Sequence, residues 1–150
     1  MVEQPGPLNF PPFSFSLRDT GQSKQIFDFV RKRYVALTPE EWVRQNLLRF
    51  LTETYRYPAS LMAVEKAVSV NGLTQRADVV VYNRDGQPWM IAECKAPSVP
   101  ISRDTFYQAA RYNISLRVPF FVMTNGNEHF CIEFTGTELV FRESLPFFPS

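Results

Sequence analysis

Three short apolar runs, LMAVEKAVSV, RADVVVYN and PWMIAECKA, succeed one another between Leu61 and Ala96, and Asn71-Gly72 and Asp85-Gly86 separate them. β-Branched residues crowd the runs, and each glycine supplies the positive φ that a tight hairpin turn needs. The pattern predicts a three-stranded antiparallel meander. It restricts the fold more than any other feature, because alternation along a strand decides which side chains share a sheet face.

A helix is expected next, over SRDTFYQAARYNISLRV, with Ser102 as its cap and Phe106, Ala109, Ala110, Tyr112 and Leu116 on its apolar side. PFFVMTN, EHFCIEF and ELVFRE then read as strands around Asn125-Gly126-Asn127 and Thr135-Gly136. A helix between strands of one sheet favours a crossover, which lays the strand at 119–124 beside the meander.

Ahead of the meander, SKQIFDFVRKRYVAL spaces Ile26, Phe29, Val30 and Tyr34 at helical intervals. TPEEWVRQNLLRFLTETYRYP repeats the pattern and begins with a helix-start signal: Thr38 as N-cap, Pro39 in the first turn, then Glu40 and Glu41. Two helices are therefore expected first. The whole reads as an α/β fold, a central mixed sheet of antiparallel meander plus crossover strand, flanked by helices.

With 150 residues, 45% of them hydrophobic and 15% aromatic, the chain can bury one core. Residues 1–23 open with MVEQPGPLNFPPFSFS, too irregular for helix or strand and too rich in Phe for a free tail, so they are expected to lie as an extended arm against a single domain at 24–150 or against a partner. The net charge of +1 and a pI near 7.8 exclude a strong global field for polyanions. Locally, 24–57 carries +3 and 102–117 carries +2, against −3 over 118–150. Cys94 and Cys131 lie in apolar runs and, with one His, form no zinc-ligand spacing; they read as buried thiols in a reducing cytoplasm. With neither a leader nor a long apolar span in the sequence, a cytoplasmic protein without a membrane partner is expected.

Strand parity places Trp89, Ile91, Glu93 and Lys95 on one face and Met90, Ala92 and Cys94 on the other, with Asp78 on the neighbouring strand able to stand opposite the charged pair. Two adjacent carboxylates repel, and one would be driven toward protonation unless a cation lay between them. Mg²⁺ resolves that conflict with hard oxygen ligands, needing only one or two protein carboxylates. Lys95 beside them can orient or help deprotonate an attacking water, or stabilise charge developing on phosphorus. The chemistry implied is metal-assisted phosphodiester hydrolysis. A plain surface ion pair at Glu93 is the structural alternative.

Asp78, fourteen intervening residues, then Glu93-Cys94-Lys95 across a hairpin between helices resembles the PD-(D/E)xK nuclease superfamily. More narrowly, PEEWVRQNLLRFL, YPASLMAVEKAVSVNG, RADVVVY, PWMIAECKAP, QAARYN and VMTNG together resemble the N-terminal nuclease domain of type I restriction enzyme R subunits, over roughly residues 25–135. The resemblance implies a restriction-endonuclease-like core. It implies Asp78 and Glu93 as metal-binding carboxylates, Lys95 as catalytic lysine, and Gln108 with Tyr112 as a supporting pair for DNA. It also implies an acidic residue from the first core helix as a further metal ligand, Glu41 before Glu40, although helix capping accounts for either equally well.

Ala77 stands where the superfamily name has proline, and nothing in the chain resembles Walker motifs. The expected function is thus a Mg²⁺-dependent DNA endonuclease domain, with Mn²⁺ able to substitute. The expected partners are DNA and a motor or specificity subunit on another chain, with room for a homodimer. The rival is a non-catalytic nucleic-acid-binding or assembly module on the same fold. His129 reads as an ordinary solvent-facing side chain, and Glu65 is left outside the candidate set.

Overall fold

Thr38 starts the first helix as its sequence predicts: its extended backbone leads into Pro39 and its hydroxyl accepts the Glu41 amide at 3.0 Å. The computed structural model describes residues 2–70 and 72–149. In chain order its elements are β1 (Leu17–Asp19), β2 (Lys24–Asp28), β3 (Arg33–Ala36), α1 (Pro39–Arg49), β4 (Met62–Val70), β5 (Leu73–Tyr82), β6 (Pro88–Cys94), α2 (Arg103–Asn113), β7 (Phe120–Thr124), β8 (His129–Phe134) and β9 (Leu139–Arg142). A π-helical turn over Phe50–Thr54 extends α1.

The main sheet has the order β4-β5-β6-β7-β8-β9. Every neighbouring pair is antiparallel except β6 and β7, which run parallel and are joined through α2, as the crossover expectation requires. Gly72, at φ 81°, lies in the turn that joins Val70 to Leu73; its expected companion Asn71 falls outside the described residues.

The two sheet faces are covered by different helices. Val43, Leu47, Leu48 and Leu51 pack from the α1 side onto Val79, Val81, Met90, Ala92 and Val122. Phe106 and Ala110 of α2 cover Val80, Ile91, Phe121 and Ile132 on the other face, with the Phe106 and Phe121 rings stacked at 5.6 Å. Leu48 is fully buried, so truncation to Ala would cost about 2–5 kcal/mol. The strands between these layers have no freedom to slip, which is what holds the end of β6 in place.

The helix expected over 23–37 does not form. Lys24–Asp28 and Arg33–Ala36 make an antiparallel hairpin, and β1 adds a third strand to it. The reason lies in Asp28: its side chain accepts the amides of Val30 and Arg31 at 2.7 and 3.0 Å, and its carbonyl accepts that of Lys32, which sits at φ 57°. An aspartate that captures amides two and three residues ahead turns the chain where a helix would continue. The flanking QIF and YVA favour strands once the turn is made.

Trp89 also departs from simple parity. Val81 pairs with Met90 but Tyr82 pairs with Pro88, so Trp89 is the extra residue of a bulge. Its ring therefore joins Tyr57, Phe120 and Phe148 on the face of Met90 instead of that of Ile91.

The Pro- and Phe-rich arm lies against the domain. Trp42 Nε1 donates to the Gly6 carbonyl at 3.1 Å, the Asn9 amide donates to the Gly126 carbonyl at 2.8 Å, and Leu8 and Phe10 pack on the α1-side core. His129 takes part: one ring nitrogen meets the Asn9 carbonyl and the other the Thr124 hydroxyl, each at 2.7 Å, while the Phe10 ring lies tilted against it with centroids 4.4 Å apart. The residue stays exposed, and partial desolvation of the ring lowers its pKa against the opposing Asn9 carbonyl, favouring the neutral ring in which Nε2–H donates and Nδ1 accepts. Among the described residues no helix is long and apolar enough to cross a membrane.

Candidate active site

The pairing of β5 with β6 runs through Val81–Met90, Val80–Ile91 and Val79–Ala92 and then stops. One step further, where Asp78 and Glu93 face each other, a side chain takes over from the backbone: Asp78 Oδ2 accepts the Cys94 amide at 2.7 Å. On the far side the Lys95 amide donates to the Thr124 carbonyl at 2.8 Å, continuing the pairing with β7. The strand end is thus fixed from both sides.

Asp78 and Glu93 line one small cavity of about 110 Å³, together with Gln75, Arg76, Asn113 and Phe121. Lys95 Nζ lies 2.8 Å from Glu93 Oε1. Both partners are more than a third exposed, so the pair contributes about 0–1 kcal/mol to stability; its significance is position. Burial raises the pKa of Asp78 and the neighbouring Glu93 charge adds to this, while the Cys94 amide and Arg44 pull it back down; the net direction is up. The Glu93 carboxylate raises the pKa of Lys95, which keeps the ammonium charged.

Glu41 lies deeper. Its oxygens accept from Arg31 at 2.8 Å, Arg44 at 3.2 Å and Gln45 at 3.0 Å, so both are engaged by side chains. Glu40 is half exposed, 3.5 Å from Arg44. Gln108 and Tyr112 share an exposed face of α2, and it is Asn113 that reaches the cavity beside Asp78 and Glu93. Among the described residues no group of three or more His, Cys, Asp or Glu side chains is gathered for a metal ion.

Reading from sequence missed Arg31, Arg44 and Glu65. Arg44 reaches Glu40, Glu41, Glu65 and Asp78, and Arg76 reaches Glu65. The Glu41, Arg44 and Gln45 spacing of i, i+3 and i+4 was a signal that these polar groups meet on one helix face. Nothing local in the sequence announces that Glu65 and Arg31 join them.

The connected set has six carboxylates, Asp28, Glu40, Glu41, Glu65, Asp78 and Glu93, and four cations, Arg31, Arg44, Arg76 and Lys95. Two negative charges are left over. A single divalent ion with hard oxygen preference fits this donor set, since Mg²⁺ takes one or two carboxylates and completes its shell with water and substrate oxygens.

A six-stranded mixed sheet between two helices, with Asp78 of β5 facing Glu93 near the end of β6 and Lys95 just beyond it, defines a restriction-endonuclease-like α/β domain. The segment 39–146 matches the family described as Type I restriction enzyme R protein N terminus, and the chain belongs to that family of restriction-type nuclease domains. The fold is similar to a fragment assigned as the HsdR subunit of a type I restriction enzyme from Vibrio vulnificus YJ016, at a TM-score of 0.53 and 22% identity. That likeness covers 73% of this chain and 24% of the other, so the chain spans about a quarter of its relative. No curated protein matches the sequence.

Proposed function

We propose that this domain hydrolyses DNA phosphodiester bonds in a Mg²⁺-dependent reaction, with Mn²⁺ able to substitute. The observation that carries the reading is the convergence of Asp78, Glu93 and Lys95 where the β5–β6 ladder opens, with the partly buried Asp78 carboxylate raised in pKa beside a second carboxylate. A cation there would polarise the scissile phosphate and its attacking water. Asp78 and Glu93 are the side chains to hold it, and Glu41 is too committed to Arg31, Arg44 and Gln45 to be a ligand without releasing them.

In the reaction the attacking water gives up a proton as its oxygen bonds to phosphorus, the bond to one sugar oxygen breaks, and that oxygen takes up a proton from solvent to leave as a hydroxyl. Lys95 presents a charged ammonium to the developing charge on phosphorus, which is where a fixed cation acts most strongly. Glu93 holds that ammonium in place at 2.8 Å. Asn113 stands at the cavity rim as a neutral donor for a phosphate oxygen, with Gln108 and Tyr112 further out on α2 to meet the DNA backbone.

DNA is the proposed substrate, and the partner is a motor or specificity subunit carried on another polypeptide. The test is calorimetric titration with Mg²⁺ and Mn²⁺, with Asp78→Ala as control, followed by incubation with supercoiled plasmid. Metal uptake that the variant loses, with nicking by the parent alone, is the expected result. Uptake without nicking would favour a non-catalytic module, and uptake unchanged in Asp78→Ala would defeat the site assignment.

A further inference from the structure

Arg44 is the most enclosed cation among the described residues, 4% exposed, and four carboxylates surround it. Glu65 lies at 3.1 Å and Glu41 at 3.2 Å, both in hydrogen bonds. Glu40 at 3.5 Å and Asp78 at 3.8 Å are held at ion-pair distance without one. Its Nε is buried and has no partner. The contact with Asp78 is the longest of the four.

Glu65 reaches Arg44 by way of an irregularity in β4. Val64 pairs with Val79 and Lys66 with Ala77, so pairing skips Glu65 at the step opposite Asp78. Glu65 sits there at φ 52°, an unfavourable conformation for a residue with a Cβ. This local break, with the register unchanged on either side, turns its carboxylate onto Arg44 and Arg76. A strand next to the acidic pair is thus distorted at the residue that grips the arginine, an arrangement that regular pairing alone would not produce.

We propose that Arg44 is a positioning residue for Asp78. It serves as an internal cation that keeps the carboxylate aimed while no ion is bound, and it yields Asp78 to an entering divalent ion while staying tied to Glu41 and Glu65. The inference rests on the nuclease reading of Asp78 and Glu93. Three features support it. A guanidinium does not lose its proton, so its compensation of Asp78 is constant. Two tight anchors on Glu41 and Glu65 let Arg44 release the loosest contact without becoming an unpaired buried charge. A positive charge this close to an ion ligand opposes the ion, so the preformed geometry is gained at the expense of affinity.

The test uses the full chain, with Arg44→Gln and Arg44→Lys compared by calorimetric titration with Mn²⁺ and Mg²⁺ and by thermal unfolding in chelator. Arg44→Gln is expected to bind either ion about tenfold more tightly, to unfold at lower temperature in chelator, and to recover more on adding ion than the parent does. Arg44→Lys should return affinity to within about threefold of the parent, because the charge is restored. An arginine with a merely structural role would leave ion binding unchanged or weaker in Arg44→Gln, and either result overturns the proposal.

If Arg44→Gln does not fold, Glu65→Gln supplies the second measurement. Loosening the anchor should press Arg44 onto Asp78 and weaken ion binding, so unchanged affinity there overturns the proposal as well. A parent protein that binds neither ion would sink the nuclease reading and this inference together, whereas a parent that binds while Arg44→Gln behaves identically sinks this inference alone.

Discussion

The Cys94 amide is hydrogen-bonded to the Asp78 carboxylate at 2.7 Å, in the place where the next backbone bond of the β5–β6 ladder would lie. Asp78 is therefore a strand-pairing element as well as a candidate ligand, and the two roles can be separated. Asp78→Asn keeps an acceptor for that amide but loses the charge. We expect it to unfold within about 1 kcal/mol of the parent in urea, while ion uptake and plasmid nicking disappear. Wild-type nicking by this variant would remove Asp78 from the mechanism.

Lys95→Met tests the ammonium. Loss of a fixed positive group at the developing charge should lower the single-turnover cleavage rate by a factor of about 100 or more. Ion affinity should be kept or rise slightly, because Lys95 sits beside the ligand carboxylate Glu93. A variant that cleaves normally contradicts the role; one that fails to fold would show that Lys95 is a structural partner of Glu93.

Glu41→Ala should be among the most damaging changes to stability. It would strip hydrogen bonds from Arg31, Arg44 and Gln45 and leave buried guanidinium charge short of a partner. Breaking a buried pair in this way costs about 3–5 kcal/mol, readable in chemical denaturation. A loss below about 1 kcal/mol would mean that the network re-forms around Glu65.

The hairpin turn carries a pH signature. Burial works against the charged form of Asp28, but the amides of Arg31 and Val30 and the Arg31 guanidinium outweigh it and hold its pKa below the usual carboxylate value. As the folded pKa lies below the unfolded one, the stabilisation is complete above the ordinary carboxylate range and is lost as pH falls through the folded value. Denaturant titrations between about pH 7 and about pH 3 should show the parent losing more stability on acidification than Asp28→Asn. Parallel losses would disprove the linkage.

Gly126 tests the arm. At φ 91°, an added Cβ would come within 2.8 Å of a Leu8 methyl and 3.2 Å of Val43. Gly126→Ala should cost more than about 1 kcal/mol and speed proteolysis within the arm. Unchanged protease resistance would show that the arm is held elsewhere.

Much of this was legible from residues alone, for identifiable reasons. Thr38-Pro39-Glu40-Glu41 declares its helix locally, and the two glycine pairs declare the meander, so the positions of Asp78, Glu93 and Lys95 at one sheet end followed from alternation. What was hidden depended on competition or distance. Asp28 converts an apparent helical period into a hairpin by capturing nearby amides, and a bulge moves Trp89 to the other face. The Arg44 cluster draws on side chains from four separated segments, and no spacing rule joins Arg31 to Glu65.

The family match begins at residue 39, whereas Arg31, which binds Glu41 and lies 3.8 Å from Glu65, comes from the hairpin before it. A fragment trimmed at Pro39 would retain every matched position and still be a different molecule. It would lose one guanidinium from the acidic cleft and the backbone partners of Trp42 and Gly126. Anyone excising this unit for grafting onto another protein should place the cut upstream of the Pro-rich segment, because the portable part is larger than the recognisable one.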